Sequence, residues 1–405
     1  MTVAEDLFRV ALHLTAPWFV NQIKFIESDK KIQIWVDFLK GSRFQCPKCN
    51  KLDCEIHDTA LKTWRHLNFF EHLTYIHCRV PRVKCPDCGV HQVKVPWARE
   101  YSGFTLLMEA LIVLFAQTMQ ITHISEKIKV TDKRIWRVIE YHVTQALKKS
   151  DFSDVNSVGI DETSRAKGHE YISIVADIET KRILHICSGK DASVLNSFSK
   201  SLEEHKGDKQ NIKYICCDMS PAFIKGIKEE FPGALLIFDK FHIMKLVNEA
   251  VDQVRREEQG TNRVLKKTRY IWLKNPENLT KKQLKTLGTL KDMNLKTSRA
   301  YNIKLSLQLM WSVADAQLAN AYFKKWFFWA THSKIEPIIK VAKTLKAHWN
   351  GILNYFKNKI SNGLLEGLNS LIQSLKANAR GYANENNFMT MIYLRHGQLK
   401  LDLPT

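Results

Sequence analysis

The sequence lacks any hydrophobic run long enough to cross a membrane. Its longest apolar stretch, residues 106–115, contains Glu109 and falls far short of the ~20 residues that a transmembrane helix needs. A secretion signal is not expected either, because Glu5 and Asp6 precede any apolar run. We therefore expect a cytoplasmic protein with no membrane partner, in which cysteines stay reduced unless they bind metal.

Acidic residues are scarce relative to basic ones. The 405-residue chain has 61 Lys and Arg against 41 Asp and Glu, which gives a net charge of +20. This excess favours a polyanionic partner, and nucleic acid is the commonest soluble one, although a merely basic enzyme is an alternative. The length and the 45% hydrophobic content indicate a globular protein of two to four domains.

Six of the nine cysteines lie between positions 46 and 88. Four of them form two Cys-x-x-Cys turns: Cys46, Cys49, Cys85 and Cys88. Two such turns can hold one tetrahedral ion, so we predict a structural Zn²⁺ in a zinc-ribbon domain over residues 41–98. An N-terminal helix and hairpin would precede it over residues 1–40. Gly89 lets the backbone bend back so that its amides face the sulfurs.

Three neighbouring residues leave the ligand set open. Cys54, His57 or Cys78 can replace a ligand or bind a second ion. A redox-active dithiol pair is an alternative to zinc. Because the sequence indicates little else that would form a core here, we expect loss of the ion to unfold the N-terminal domain.

Residues 101–150 have the pattern of three helices, at about 104–117, 121–128 and 131–147. The third helix carries an apolar face of Ile135, Val138, Ile139 and Val143. Its basic front consists of Lys133, Arg134 and Arg137. This organisation is typical of a helix-turn-helix domain, and we predict that the basic front contacts DNA. Three-helix segments also occur in proteins that never bind DNA.

Residues 151–258 have the pattern of an α/β sheet. A first strand ends at Asp161, and a hairpin leads to a second and a third strand. Two more strands alternate with helices and end at Asp218 and Asp239. This order predicts a ribonuclease-H-like core, in which acidic residues at strand ends meet at the open edge of the sheet.

We predict that a helical insertion over residues 259–359 interrupts this core. The window 255–304 holds 14 Lys and Arg against 4 Asp and Glu, so it supplies +10 of the net charge. It is either a solvated face or a nucleic-acid contact, and the candidate contacts are Lys266, Lys267 and Arg269.

The core resumes over residues 360–400. There Ser361 or Asn362 is expected to cap a helix. Asn362, Glu366 and Asn369 would share its polar face, opposite a leucine-rich side. Such a glutamate suits a metal ligand, although a solvent-exposed acid is the alternative reading. The leucines expected on the far side are Leu364, Leu365, Leu368 and Leu371.

Together these motifs resemble bacterial insertion-sequence transposases of the ISL-three type. The resemblance rests on the two-turn finger, the helix-turn-helix pattern and four short motifs: G-I-D-E-T-S, C-D-M-S-P-A-F, F-D-K-F-H and S-N-G-L-L-E-G-L-N-S. It implies that Asp161, Asp218 and Glu366 are the catalytic carboxylates. Asp239 and His242 match a further motif whose chemical role the sequence does not define.

The resemblance implies cleavage at the terminal inverted repeats of an element and joining of the ends to target DNA. Clustered carboxylates require a divalent cation, and oxygen ligands select Mg²⁺ or Mn²⁺. Double-stranded DNA would be the partner, and handling two ends together implies a homodimer or larger assembly. The alternatives are a non-catalytic zinc-finger and helix-turn-helix regulator, or a nuclease of the same fold without strand transfer.

Overall fold

A computed structural model describes residues 3–166, 168, 170–360 and 362–404. The chain divides into two compact units, Met1–Ala146 with Lys400–Thr405, and Leu147–Leu399. Within the described ranges, no helix combines the length and the apolar character that crossing a membrane requires. The predicted cap at Ser361 lies outside the described residues.

The first unit begins with a helix and a five-stranded sheet. Its elements are α1 (Val3–Ala11), β1 (Trp18–Ile26), β2 (Lys31–Phe38), β3 (Glu55–Arg65), β4 (Leu73–Cys85) and β5 (Gly89–Gln92). The strand order is β1-β2-β4-β3, with β5 paired to the end of β4. The β2–β4 pair is parallel and the other pairs are antiparallel. Segments 1–40 and 41–98 therefore share one sheet.

This sheet has a substantial hydrophobic core. Alternate residues of β2, such as Ile32 and Ile34, are fully buried together with Ile76 and Val80 of β4. Period-two burial of this kind follows from the pleat of a strand with one covered face. The expectation that little besides the metal forms a core here is therefore wrong.

Three helices follow the sheet: α2 (Leu106–Ala116), α3 (Ile121–Ile128) and α4 (Asp132–Lys148). The side chain of Thr105 caps α2 by accepting from the amide of Met108. Lys129, in the left-handed region at φ 54°, ends α3 and starts the turn to α4. The predicted apolar face of α4 is buried, which confirms the helical periodicity in this segment.

The second unit contains a sheet with helices. Its first part comprises β6 (Ser157–Ala166), β7 (Glu170–Asp177), β8 (Ile183–Ser188), α5 (Ser193–Glu204), β9 (Tyr214–Cys217), α6 (Pro221–Glu230), β10 (Leu235–Phe238) and α7 (Lys240–Gln259). The strand order is β10-β9-β6-β7-β8. Strands β6, β7 and β8 form an antiparallel meander, and β9 and β10 extend it in parallel.

One expected strand end is wrong. The first strand does not stop at Asp161 but continues to Ala166. Its pairing with β9 ends at Gly159, whereas its pairing with β7 runs on to Ala166. Asp161 therefore lies just beyond the last residue of β6 that pairs with β9, in a part of β6 that still pairs with β7.

The remaining helices are α8 (Arg269–Leu273), α9 (Lys281–Lys291), α10 (Lys296–Met310), α11 (Ala316–Thr331), α12 (Glu336–Ala347), α13 (Trp349–Asn358), α14 (Gly363–Asn378) and α15 (Glu385–His396). Aromatic packing holds this block together, for example Phe323 stacked on Trp349 at 3.8 Å between centroids. Gly351 of α13 lies against the ring of Phe238, and Asn354 donates to the carbonyl of Leu236 at 2.8 Å. The block thus returns to the sheet at β10.

Not every cation of the basic window faces solvent. Lys304 is 1% exposed and donates to the carbonyls of Trp272 and Leu273, at 3.1 and 2.7 Å. Burial lowers the pKa of Lys304 to about 8. Arg255 is also buried and pairs with Asp252 at 2.8 Å. These two cations belong to the interior of the block, so the charge available to a polyanion is smaller than the sequence count.

Candidate active site and zinc cluster

The four predicted cysteines come together. The sulfurs of Cys46, Cys49, Cys85 and Cys88 all lie within 4.8 Å of one another. Burial disfavours the Cys85 thiolate, but the amides of Asp87 and Cys88 donate to it and lower the pKa of Cys85 to about 7. Gly89 adopts φ +86°, the left-handed turn that its position required. Four convergent sulfurs supply the closed ligand set that a tetrahedral structural zinc ion uses.

The three alternative ligands lie outside this four-sulfur set. Cys54 is buried, and its thiol faces the carbonyl of Lys51 at 3.6 Å. His57 is exposed and pairs with Asp58 at 3.2 Å. Cys78 is buried in the sheet, where burial raises its pKa to about 12.

The basic front of α4 is exposed at all three predicted positions, Lys133, Arg134 and Arg137. They do not share the same surroundings. The guanidinium of Arg134 lies 4.2 Å from the ring centroid of Phe104 and donates to the carbonyl of Gly103 at 3.3 Å. Arg134 therefore serves the packing of its own domain, whereas Lys133 and Arg137 extend to solvent.

Helix α14 packs along β6, across roughly 200 residues of sequence. Asn362 is 1% exposed, and its Nδ2 donates to the carbonyl of Ile160 at 3.3 Å instead of capping the helix. The close approach requires Gly159, because a Cβ there would lie 2.4 Å from Oδ1 of Asn362. The leucine side differs from the expectation, since Leu371 is 54% exposed while Leu365 faces Gly159.

Asp161 is held by this helix. Its Oδ2 accepts from Nδ2 of Asn369 at 2.7 Å, and its Oδ1 accepts from the amide of Glu162 at 2.8 Å. His242 lies on the other side, with Nε2 4.0 Å from Oδ1 of Asp161. Nδ1 of His242 is 2.9 Å from Oδ2 of Asp239, the residue that caps α7. The imidazole therefore lies between two buried carboxylates.

The carboxylates influence one another electrostatically. Burial, with the charges of Asp239 and Asp218, raises the pKa of Asp161, although the Glu162 amide and His242 oppose this. Burial and the charge of Asp239 raise the pKa of Glu366. His242 has a raised pKa because of its hydrogen bond to Asp239. The predicted acids from two strands and a distant helix thus share one electrostatic environment.

The acids do not form a tight cage for a single ion. Among the described residues, the cysteine cluster is the one set of three or more His, Cys, Asp or Glu whose ligand atoms all lie within 4.8 Å. Asp218 instead uses Oδ1 to accept from the amide of Ser220 at 2.9 Å, and Glu366 is exposed.

Glu162 is a residue that the sequence interpretation did not single out. It is half-buried next to Asp161, and burial together with the charge of Asp218 raises its pKa to about 7. The G-I-D-E motif contains both acids, so the signal was present. Because a strand alternates its side chains between faces, the sequence does not predict that two successive acids share one environment.

The chain thus combines a four-cysteine cluster, a three-helix segment with a basic front and an α/β sheet with grouped acids, in this order. Family models match all three parts. They are a zinc finger of transposases over residues 42–88, a helix-turn-helix domain of the ISL3 transposase family over 93–143, and the transposase domain of that family over 158–392. The chain belongs to the ISL3 family of transposases and is a DNA transposase with a helix-turn-helix DNA-binding domain.

Two relatives match along nearly their whole length. The chain is 24% identical over 356 residues to the transposase for insertion sequence element IS1001 of Bordetella parapertussis, covering 86% of this chain and 87% of the relative. It is 25% identical over 422 residues to the transposase for element IS1557 of Mycobacterium tuberculosis, covering 96% and 94%. The predicted family is confirmed, and the zinc-ribbon match together with the four-sulfur cluster supports a structural zinc.

Proposed function

We propose that Asp161, Asp218 and Glu366 catalyse metal-dependent cleavage of element ends and transfer of the freed strands to target DNA. The observation that carries this proposal is the docking of α14 on β6. Asn369 is bonded to Asp161, and Glu366 lies one turn earlier on the same helix. The charges of Asp239 and Asp161 also act on Glu366, which supports a place for this acid near Asp161 despite the long insertion before it.

The donor set fits a hard divalent cation. Carboxylate oxygens are the ligands that Mg²⁺ or Mn²⁺ prefers, and grouped carboxylates with raised pKa values gain most from a cation. Oδ1 of Asn369 is buried with no hydrogen-bond partner among the described residues. When bound, Mg²⁺ would activate a water or a 3′-hydroxyl and stabilise the leaving oxygen.

The chain's own residues orient these carboxylates. Asn369 and the Glu162 amide hold the two oxygens of Asp161 in different directions. Asp239 fixes the ring of His242, whose other nitrogen faces Asp161. We assign Asp239 and His242 a positioning role, in which the imidazole offsets the charge of its two acidic neighbours.

The domain assignment follows from the same proposal. Residues 151–258 and 360–400 form a ribonuclease-H-like core, supported by a three-strand meander extended by two parallel strands. Residues 259–359 form the helical insertion, 41–98 the zinc ribbon holding Zn²⁺ on Cys46, Cys49, Cys85 and Cys88, and 101–150 the helix-turn-helix. Double-stranded DNA is the partner, and we propose a homodimer or larger assembly because two ends must be joined together.

The test uses purified full-length protein, Mg²⁺ and labelled element ends. Asp161→Asn, Asp218→Asn and Glu366→Gln should each abolish cleavage and joining while DNA binding persists. Glu229→Gln, an exposed acid on α6, is the charge-matched control and should remain active. Asp239→Asn tests whether that acid replaces one of the three. Full cleavage by Glu366→Gln would overturn the assignment, and cleaved but never joined ends would indicate a nuclease.

A further inference from the structure

A groove of about 600 Å³ runs along one face of α7 in the second unit. Its lining follows the helical repeat through Phe241, Lys245, Asn248, Asp252 and Arg256. Helix α8 closes the far side with Arg269. The volume is far larger than one phosphate or one metal ion needs, and it lies in the range of known ligand-binding sites.

The far end of the groove presents two guanidinium groups together. Arg256 and Arg269 both approach Oδ2 of Asp252, at 3.6 and 3.4 Å, while their side chains stay 66% and 55% exposed. Oδ1 of Asp252 is taken by the buried Arg255 at 2.8 Å. One carboxylate therefore holds two arginines near each other while most of each guanidinium faces solvent. Paired, oriented guanidinium groups are the arrangement that phosphate oxygens bind best.

The near end of the groove adjoins the catalytic acids. Phe241 lines the groove and is 53% exposed, and the next residue, His242, faces Asp161. The helical rise puts residue 256 about 21 Å from residue 242. Lys245 is exposed between the two ends, and Oδ1 of Asn248 is buried there with no hydrogen-bond partner among the described residues. Glu249 also lines the groove, so cations exceed acids but do not stand alone.

We propose that the α7 groove, from Phe241 to Arg256 and Arg269, binds the DNA strand that carries the scissile phosphate. This rests on the proposed catalytic role of Asp161. The two arginines bind a backbone phosphate, and the ring of Phe241 stacks on a base near the reacting position. At a rise of ~3.4 Å per nucleotide in a duplex, the arginines contact a phosphate roughly six positions from the cleaved one. A stretched single strand would shorten that count.

The experiment tests whether the effect of neutralising a single DNA phosphate on binding depends on the two groove arginines. Element-end DNA carries one uncharged methylphosphonate at each of seven positions on either side of the scissile phosphate. Binding is measured by fluorescence anisotropy in the Asp161→Asn background, which keeps the DNA intact. The variants are Arg256→Gln with Arg269→Gln and, as a matched loss of two exposed charges, Lys281→Gln with Lys282→Gln on α9.

Without groove mutations, one or two neighbouring methylphosphonates should weaken binding roughly tenfold. The variant with Arg256→Gln and Arg269→Gln should bind unmodified DNA about tenfold more weakly than the parent protein. In this variant, a methylphosphonate at the sensitive positions should weaken binding no further. The Lys281 and Lys282 variant should still lose the full factor there. The proposal would be wrong if every methylphosphonate and the two arginine substitutions weakened binding additively. It would also be wrong if inorganic phosphate displaced the protein as effectively as the DNA strand does.

The measurements distinguish failure of the groove proposal from failure of the catalytic proposal. If Asp161→Asn retained cleavage, the catalytic proposal would fail while the phosphate coupling could still be measured on an uncleavable end. If the coupling were absent while Asp161→Asn abolished cleavage, only the groove would fail. Phe241→Ala gives a second readout, because it should weaken binding to intact DNA but not to DNA with an abasic site at the stacked position.

Discussion

Nδ2 of Asn369 donates to Oδ2 of Asp161 at 2.7 Å, a bond between residues 208 positions apart. It fixes the carboxylate against a helix that reaches the sheet only after the whole helical insertion. A neighbour that orients a proposed metal ligand typically changes metal affinity or activity 10- to 100-fold when removed.

We therefore expect Asn369→Ala to lower the cleavage rate at saturating DNA about 10- to 100-fold and to raise the Mg²⁺ concentration needed for half activity. DNA affinity should stay unchanged because Asn369 is set back from the surface. Ser370→Ala, on the exposed side of the same helix, is the control. A normal Mg²⁺ dependence in Asn369→Ala would show that the bond to Asp161 is not used.

The site shows what the sequence made predictable. The periodicity of α4 and the spacing of the cysteine turns depend on local geometry, and the structure agrees with both. The end of β6 depends on distant residues. Thr163 and Ser164 resemble a polar turn, yet Gln373 donates to Thr163 Oγ1 at 2.6 Å and Lys376 donates to the Ser164 carbonyl at 2.6 Å. Polar strand residues satisfied by a helix 200 positions later leave no local signal.

Arg134 illustrates the same limit at the surface. Its position in the basic front predicts a DNA contact, which stays a prediction, whereas its packing over Phe104 depends on a loop that precedes α2. The number of basic residues in this part of the sequence does not predict the groove along α7 either. Lys304 and Arg255 add to that number although both side chains are buried. The basic composition predicts a polyanionic partner, but the packing of the side chains determines which cations are accessible to that partner.

Zinc removal should have a local effect. Cys85→Ser should lose the metal, measured by elemental analysis, and should lose hydrogen-exchange protection near residues 44–54 and 85–89. Protection in β2 and in the first half of β4 should persist, because Ile32, Ile34 and Ile76 pack without the metal. Cys54→Ser should keep one zinc ion per chain, and loss of zinc from that control would place Cys54 in the ligand set.

Glu109 should make the helix-turn-helix sensitive to acid. It is fully buried and accepts from Ser102 at 2.5 Å and from Arg99 at 2.8 Å, and it lies 2.9 Å from Nε2 of His142. Burial opposes its ionisation, but these partners outweigh burial and lower the pKa of Glu109. A folded pKa below the unfolded one means that this stability is present above the unfolded value, ~4.5, and is lost as pH falls through the folded value.

Glu109→Gln should accordingly destabilise the α2–α4 contact by about 3 kcal/mol at pH 7, because Arg99 loses its buried partner. The variant should also show a smaller loss of α2 and α4 amide protection than the wild type as pH falls from 7 to well below 4. Glu140→Gln, an exposed acid on α4, should match the wild type over the same pH range. Equal pH dependence in Glu109→Gln and wild type would contradict this role.

The two groups of proposed DNA-contacting cations should differ in their effects. Charge reversal of Lys266, Lys267 and Arg269 should weaken binding to all sequences similarly and flatten the salt dependence, because phosphate contacts carry no sequence information. Lys133→Ala and Arg137→Ala should instead reduce the preference for element ends. Arg134→Ala should mainly lower stability. Competition between end DNA and random DNA at several salt concentrations separates these outcomes.

The docking of α14 gives a prediction that leaves every proposed catalytic side chain in place. A Cβ at position 159 would lie 2.4 Å from Oδ1 of Asn362 and 2.8 Å from Cδ1 of Leu365, closer than real contacts allow. These atoms are side-chain ends, but both residues are buried, so we expect α14 to shift in Gly159→Ala and to carry Glu366 and Asn369 with it. A displacement of about 1 Å can cost a factor of about 100 in rate. Cleavage should fall by roughly that factor, while DNA affinity and zinc content stay at wild-type values. Gly233→Ala, where a Cβ meets nothing within 4 Å, is the matched control and should be fully active. Wild-type cleavage by Gly159→Ala would mean that the close approach of α14 to β6 does not set the position of Glu366.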